Sequence, residues 1–212
     1  MSFPLSSSEI IDQALSQSGL SLHLSDPLSQ DQKDRLKGFL DLRAKWSNTH
    51  NLSGPRALTN LSTDIVDAVA VWLCADAHLP LADIGSGSGA PGLMLACLNP
   101  SHKIHLVEPI AKRCAFMKTA AFKLGLNEVT VHRARWPDAK IDQLGTVIPI
   151  SRAVVSPEEW PLLADRPQVA GIMQMLAHQR PEWPLTGYSL VQELRYTDPE
   201  GGERLVRRWR RN

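Results

Sequence analysis

The sequence carries almost no excess charge. Its 23 Lys and Arg residues meet 22 Asp and Glu, a formal net charge of +1. A chain that holds nucleic acid through its overall field has far more excess base, so any contact with RNA must come from local patches. Long apolar runs are missing too. No window reaches about 18 uncharged apolar residues, which excludes a membrane-spanning helix. The first residues, Met1 to Glu9, lack a basic start and an apolar stretch, so no secretory signal is expected. Cysteine is scarce. Cys74, Cys97 and Cys114 lie far apart in helix-like segments. They suit reduced, buried thiols of a cytoplasmic protein and rule against a zinc site. The seven histidines form no metal-binding set, and no repeat or low-complexity tract is visible. What the chain does have is core-forming material. Hydrophobic residues make up 43% of 212, enough for one α/β domain with a small extension and too many for disorder.

Local patterns divide the chain at about residue 60, with a helical extension over 1–60 and the main domain over 61–212. Ile10, Ile11, Ala14 and Leu15 follow helical spacing until Gly19. Ser29 and Gln32 form a capping-box pattern. The helix they open carries Leu36, Phe39, Leu40 and Trp46 on one face. Its bases, Lys33, Arg35, Lys37, Arg43 and Lys45, either face solvent or form a patch for RNA. Residues 48–56 have turn chemistry and read as a loop. A third helix is expected over 64–77. From Leu79 the pattern alternates, with strands ending at Asp83 and Val107, then 129–132, 147–150 and 170–176. Helices over 91–98 and 111–124 separate the first three. Pro149 is awkward in a central strand and reads as the place where that strand ends. Segments 187–196 and 203–209, joined through Asp198 to Gly202, read as a hairpin. Alternating β and α elements closed by an antiparallel hairpin predict a doubly wound sheet.

Residues 81–92 carry the most information. A short apolar strand ends in Asp83 and breaks into Gly85, Gly87 and Gly89, and Pro91 opens an apolar helix. A strand, a glycine turn and a helix N-terminus let backbone N–H groups approach a nucleotide-like ligand. Gly87, Gly89 and Gly92 satisfy GxGxxG, so a dinucleotide remains an open reading. Two features favour S-adenosylmethionine. Asp83 would repel a pyrophosphate but welcome an amino group. The turn also comes late, behind a helical region. Glu108, about 20 residues past the turn, suits the ribose of either ligand. Ligands of such sheets sit beyond the carboxyl ends of the strands. Residues 83–90, Glu108, Arg135 to Pro137 and Ser151 to Ala153 should line that crevice. Trp136 and Pro137 either wall an adenine or pack a loop. Arg152 either serves the ligand or forms a strand-end salt bridge.

Together these segments resemble the RsmG family, also called GidB. Lys45-Trp46 with Asn51-Leu52 is similar to its Lys-Trp-Asn block, and Asp64 and Asp67 to its H-x-x-D helix. Asp83 to Gly92 resembles its D-x-G-[ST]-G-x-G-x-P-G turn. Leu106 to Glu108 with Ala111 to Phe116, Ala134-Arg135, and Ile150 to Ala153 resemble three further blocks. The blocks cover about residues 40–155 in family order. The resemblance implies a class I, Rossmann-like methyltransferase that moves a methyl group from S-adenosylmethionine to N7 of a guanine. The guanine would lie in the decoding-region loop of 16S, small-subunit ribosomal RNA, met as RNA or as the 30S particle. A monomer is expected. The resemblance also implies cofactor contacts at Gly85, Ala90, Trp136, Pro137 and Arg152, beside the Asp83, Gly87, Gly89 and Glu108 read from the turn itself. Three positions depart from the family pattern: Thr63-Asp64 replaces Arg-His, Pro137 replaces an acid, and Ala177-His178 replaces Lys-Gly.

The residue chemistry agrees with a ring nitrogen as acceptor. Guanine N7 has a free lone pair and no proton to lose, so alignment supplies most of the rate. Methylation at a pyrimidine C5 would need a nucleophilic cysteine in the crevice. Exocyclic amines commonly use an Asn/Asp-Pro-Pro-aromatic cluster, where Ser151-Arg152-Ala153 stands here. Arg152 is the expected catalytic residue, donating to guanine O6, to phosphate or to the cofactor. The readings left open are an NAD-type oxidoreductase and an inert, cofactor-binding RNA module. The C-terminal Arg207, Arg208, Arg210 and Arg211 either hold RNA or charge a solvated edge strand.

Overall fold

The computed structural model describes residues 7–50, 61–136, 144–152, 154–177 and 185–212. The chain opens with three helices, α1 (Ser7–Gln17), α2 (Gln30–His50) and α3 (Leu61–Cys74). Strands and helices then alternate: β1 (Leu81–Ile84), α4 (Gly92–Leu98), β2 (Ile104–Val107), α5 (Ala111–Lys123) and β3 (Val129–His132). β4 (Ile148–Ile150), α6 (Trp160–Ala164), β5 (Gly171–Ala177), β6 (Tyr188–Thr197) and β7 (Glu203–Arg211) complete it.

The strands form a parallel sheet in the order β3-β2-β1-β4 and an antiparallel one in the order β5-β7-β6. A parallel bridge between Val147 and Val169 joins them into one doubly wound surface. Pro149 explains the break between the two ladders. The strand does not end at Pro149, as its chemistry suggests, but runs through it, pairing Ala82 with Pro149. Alternate residues of a parallel strand bond to opposite neighbours. Val147 faces β5, accepting from Ala170, and Ile148 donates to Pro80 on the β1 side. Pro149 again faces β5, where it has no N–H to give, so that ladder stops.

Side chains alternate across the strands and build two cores. Ile104, Leu106, Ile148 and Ile150 point into the larger core, with Phe39, Val66, Leu93 and Phe116 from the helices. Ala82, Ile84, Val107 and Val147 point into a smaller core with Trp136, Trp160 and Trp209. Helices α1 to α5 all contribute to the first; α6, which the sequence patterns do not mark, covers the second.

The N-terminal helices are tied to the sheet domain through α2, whose capping box is legible in the sequence and whose bonds to α4 are not. Ser29 and Gln32 make the reciprocal capping bonds, at 2.8 and 3.3 Å. The same Gln32 donates to the Leu98 carbonyl at 2.8 Å, and Arg35 to that of Cys97 at 2.9 Å. These two bonds satisfy carbonyls left open at the end of α4. Trp46 and Phe39 pack on Phe116 of α5.

Several expectations need correction. Residues 48–50 continue α2 and are not loop; 51–56 lie outside the described residues. Arg43 faces neither solvent nor RNA but is 1% exposed, paired with Asp64 at 2.7 Å. Lys33 pairs with Asp12 and Lys37 with Asp41, so the basic face of α2 is largely committed. Strand β7 is the middle of its sheet, not an edge. Its Arg207, Arg208 and Arg211 bond Glu193, Asp76 and Asp165; Arg210 is exposed.

Candidate functional site

Beyond the carboxyl ends of β1, β2, β3 and β4 lies a crevice of about 370 Å³. Gly85, Glu108, Trp136 and Arg152 line it together, with Arg113 and Arg135 at its basic side. Ile84, Val107, Ile110 and Leu163 supply apolar surface. Four segments far apart in sequence thus meet where the alternating fold predicts.

The glycine turn is held by its own backbone. Gly85 and Ser86 donate to the Val107 carbonyl at 2.8 and 3.1 Å, fastening the turn to the end of β2. Gly85 has φ +70°, and a Cβ there would lie 2.4 Å from Val154. A side chain at this point would close the crevice. Gly87 and Gly89 also have positive φ. They and Ala90 shape the turn; the Gly89 carbonyl accepts from the Leu93 N–H at 2.7 Å, and a Cβ on Gly89 would stand 2.7 Å from the Leu93 side chain.

Asp83 sits beneath the turn. Its carboxylate accepts from the Gly92 N–H at 3.0 Å, at the first residue of α4. Burial pushes its pKa up to about 6, against the lowering by that N–H. Glu108 is no exposed strand-end acid. It is 2% exposed, and it accepts from Gly87 at 3.0 Å and from Ile110 at 2.9 Å. Arg113 stands 3.6 Å away. A carboxylate offers about four lone-pair positions, so Glu108 keeps capacity for a ligand hydroxyl. Trp136 both walls the crevice and packs, its indole donating to the Leu163 carbonyl at 2.8 Å. Pro137 and Ala153 lie outside the described residues.

Arg152 lines the crevice and also forms the salt bridges that its position suggests. Its side chain is one-third exposed in the crevice, and its guanidinium is ion-paired with Asp64 and, at 3.6 Å, with Asp67. These acids belong to an alternating set. Arg43 and Arg152 share Asp64, while Arg152 and Arg204 share Asp67. The Tyr196 hydroxyl also donates to Asp67 at 2.8 Å. Burial raises the pKa of Asp67, with Arg204 and Arg152 opposing. Reading the crevice from strand ends alone misses Asp64 and Asp67. The signal was there: two acids three apart on an otherwise apolar helix share a face and need cations opposite.

None of the three thiols lines the crevice; the Cys114 thiol donates to the Glu108 carbonyl behind it at 3.0 Å. Cys74, Cys97 and Cys114 are free and buried, and burial pushes the first two up to about 12. His105 meets His132 at 3.1 Å. Among the described residues no group of three metal-binding side chains occurs, and no helix is long and apolar enough to cross a membrane.

Glycines that admit a ligand, an acid with spare acceptor capacity, an aromatic wall and a cation at one strand-end crevice fit a nucleoside-bearing cofactor. The chain's relatives agree. The Ribosomal RNA small subunit methyltransferase G of Halorhodospira halophila is 33% identical over 139 residues, 59% of this chain and 65% of that protein. The protein of the same description from Wolinella succinogenes is 31% identical over 144 residues, 68% and 73%. The matches thus span about two-thirds of the relatives' length. Among solved structures, M. jannaschii TYW2 in complex with AdoMet superposes with a TM-score of 0.53 at 15% identity, covering 72% of this chain and 76% of that one. This likeness is one of fold, the doubly wound class I methyltransferase sheet. Residues 32–183 match the GidB family, described as rRNA small subunit methyltransferase G, and the chain belongs to that family.

Proposed function

We propose that this chain transfers a methyl group from S-adenosylmethionine to N7 of a guanine in the decoding-region loop of 16S ribosomal RNA. The observation that carries the reading is the convergence of Gly85, Glu108, Trp136 and Arg152 on one crevice at the strand ends. In this reading residues 61–212 are the methyltransferase domain and 1–60 its helical extension. The protein acts in the cytoplasm as a monomer, on the RNA or the 30S particle.

Each residue then has a task. The glycine turn, Gly85, Gly87, Gly89 and Ala90, lies against the amino-acid part of the cofactor. Asp83 fixes that turn to α4 and supplies negative charge beneath the cofactor's amino group. Glu108 accepts from the ribose hydroxyls, and Trp136 with Pro137 walls the adenine. When bound, S-adenosylmethionine supplies an electrophilic methyl on a sulfonium; the N7 lone pair forms the new N–C bond as the S–C pair returns to sulfur. No proton leaves N7, so no general base is needed. The residues suit that economy. The Asp83 carboxyl is buried and engaged by the Gly92 N–H of α4. The thiols that a pyrimidine C5 mechanism would need are buried in helices. Arg152, held by Asp64 and Asp67, keeps its cation at the crevice to donate to guanine O6 or a phosphate. Arg113 and Arg135 offer local positive charge where the chain's net charge is nearly neutral.

The test is transfer itself. Small subunits from cells lacking this protein, incubated with labelled S-adenosylmethionine, should take up label at a single guanine in the decoding-region loop. Wild-type subunits should take up none. Absence of label from undermethylated subunits refutes the reading in favour of an inert RNA-binding module.

A further inference from the structure

The β6–β7 hairpin acts on the crevice from a distance. Among the described residues, those that line the crevice include none from β6 or β7. Both strands also lie beyond residues 32–183, which match the family. Yet the hairpin reaches the crevice arginine through one buried carboxylate.

That carboxylate is Asp67, on α3, and its two oxygens are divided. Oδ1 accepts the Tyr196 hydroxyl of β6 at 2.8 Å. Oδ2 stands between two guanidiniums, 3.6 Å from Arg152 and 3.5 Å from Arg204 of β7. A tight charge-assisted bond measures roughly 2.7–2.9 Å, so neither arginine holds that oxygen alone. Tyr196 is buried, and its bond fixes the rotation of the carboxylate so that Oδ2 faces the pair. A contact that served only to neutralise Asp67 would close on it; this one is shared.

Arg204 is itself held by the turn of the hairpin. Its Nε donates to Asp198 Oδ2 at 3.0 Å. Asp198 accepts from the Gly202 N–H at 2.6 Å and donates its own N–H to the Gly202 carbonyl at 2.8 Å. The turn is pinned to two helices. Thr197 donates its N–H to the Ser18 carbonyl and its hydroxyl to that of Gln17, each at 3.2 Å. The Thr63 hydroxyl of α3 donates to Glu200 at 3.2 Å. Arg204 is thus a fixed counter-charge, and Asp67 cannot move toward Arg152 without leaving it.

Resting on the methyl-transfer reading above, we propose that Tyr196 and Arg204 are positioning residues for that reaction: by holding Asp67 in a shared geometry, they keep the Arg152 guanidinium at the crevice. Arg152 has its side chain one-third exposed there, with Asp64 as its other anchor. Without Arg204, Oδ2 belongs to Arg152 alone and draws the guanidinium back toward α3. The charged and titratable groups facing Asp67 are Arg204, Arg152, Tyr196 and Asp64. Burial raises its pKa, and Arg204, Arg152 and the Tyr196 bond oppose that rise. Removing Arg204 or the Tyr196 hydroxyl therefore raises it further. Asp67 then takes a proton at higher pH and releases Arg152.

Arg204→Met, Arg204→Lys and Tyr196→Phe test the assignment, each through two readouts. Carbon NMR of the Asp67 carboxyl, on protein without cofactor, gives its titration. Labelled transfer to undermethylated small subunits, followed against pH, gives kcat and KM. Arg204→Met should lower kcat about tenfold or more, the scale of a small misplacement of a group at the reacting centre. Its acid limb should move to higher pH in step with the Asp67 titration. Tyr196→Phe should move both in the same direction, and Arg204→Lys, which restores the charge, should recover most of kcat and return the limb. Affinity for S-adenosylhomocysteine, read by calorimetry, should stay at the wild-type value in all three. If the Asp67 titration moves while the pH profile of transfer does not, the hairpin serves only the fold and the inference is overturned. Loss of S-adenosylhomocysteine affinity in step with kcat overturns it as well. Should Arg204→Met show no cooperative urea transition, Tyr196→Phe and Arg204→Lys decide by the same criteria. Wild-type protein that transfers no label refutes the methyl-transfer reading first, and this inference with it; wild-type transfer matched by all three variants refutes this inference alone.

Discussion

Asp64→Asn removes one charge from the alternating set and leaves its shape. The structure sets the cost. Arg43 is 1% exposed, and its salt bridge to Asp64, at 2.7 Å, is its ion pair among the described residues. The Nε and Nη2 atoms of Arg43 are buried without partners among the described residues, and none of these stands ready to take over. Phe39 offers its ring at 5.6 Å, too weak to replace a carboxylate. Breaking a buried pair and leaving one ion behind costs about 3–5 kcal/mol. That is a large share of the roughly 5–15 kcal/mol that holds a domain together. For a chain of this size it corresponds to a fall in Tm of about 6–20 °C. Urea denaturation at fixed pH measures it, with Arg43→Met, Asp64→Leu and their combination as a double-mutant cycle. The combined variant should recover most of the loss, since well-packed apolar residues can replace a buried pair at little cost. It should not recover methyl transfer, because Arg152 would have lost one of its two anchors. An Asp64→Asn cost below about 1 kcal/mol, the range of an exposed pair, would refute the reasoning.

Two titrations, of buried Asp83 and half-buried His105, oppose one another in acid, and variants should separate them. Asp83 has a raised pKa of about 6, so the folded state keeps a proton the unfolded state loses, and stability falls as pH rises from about 4 to 6. Asp83→Asn should abolish that fall in urea titrations; an unchanged pH slope would contradict it. His105 is lowered to about 4, chiefly by burial, so it favours the fold above its ordinary value, and that contribution is lost as pH drops from about 6.5 toward 4. His105→Gln should leave the protein less sensitive to acid over that range, and equal sensitivity would sink the assignment. Gly85→Ala places a Cβ 2.4 Å from Val154 at φ +70°. It should weaken S-adenosylhomocysteine binding by about tenfold or more, the equivalent of 1.4 kcal/mol; unaltered affinity would mean the turn does not face the cofactor.

Much of the framework could be read from local pattern. The capping box at Ser29 and Gln32, the helix stops at Gly19 and Gly125, and the strands at 81–84 and 129–132 stand where residue chemistry puts them. The reason is that each depends on neighbours in sequence. What failed depended on neighbours in space. Arg43 looks like a solvated base because nothing nearby in the chain says that Asp64, on another helix, needs a cation. Arg207 looks like an edge charge until β7 is seen between β5 and β6. Pro149 looks like a strand end because the ladder it spares belongs to a strand some 20 residues on.

The site shows the same division. Gly85, Glu108, Trp136 and Arg152 could be gathered from four strand ends by the topology rule alone. The partners that hold them could not. Glu108 is fastened by Gly87 and Ile110, Trp136 by Leu163, and Arg152 by two acids on α3. Tertiary packing selects those contacts, and periodicity carries no record of them.

Calorimetry with S-adenosylhomocysteine and, separately, NADH puts the strand-end crevice to its most direct test. Wild-type protein should bind one equivalent of S-adenosylhomocysteine and no NADH, and Glu108→Gln should weaken that binding. Binding of NADH alone, or S-adenosylhomocysteine binding that ignores Glu108, would contradict the account.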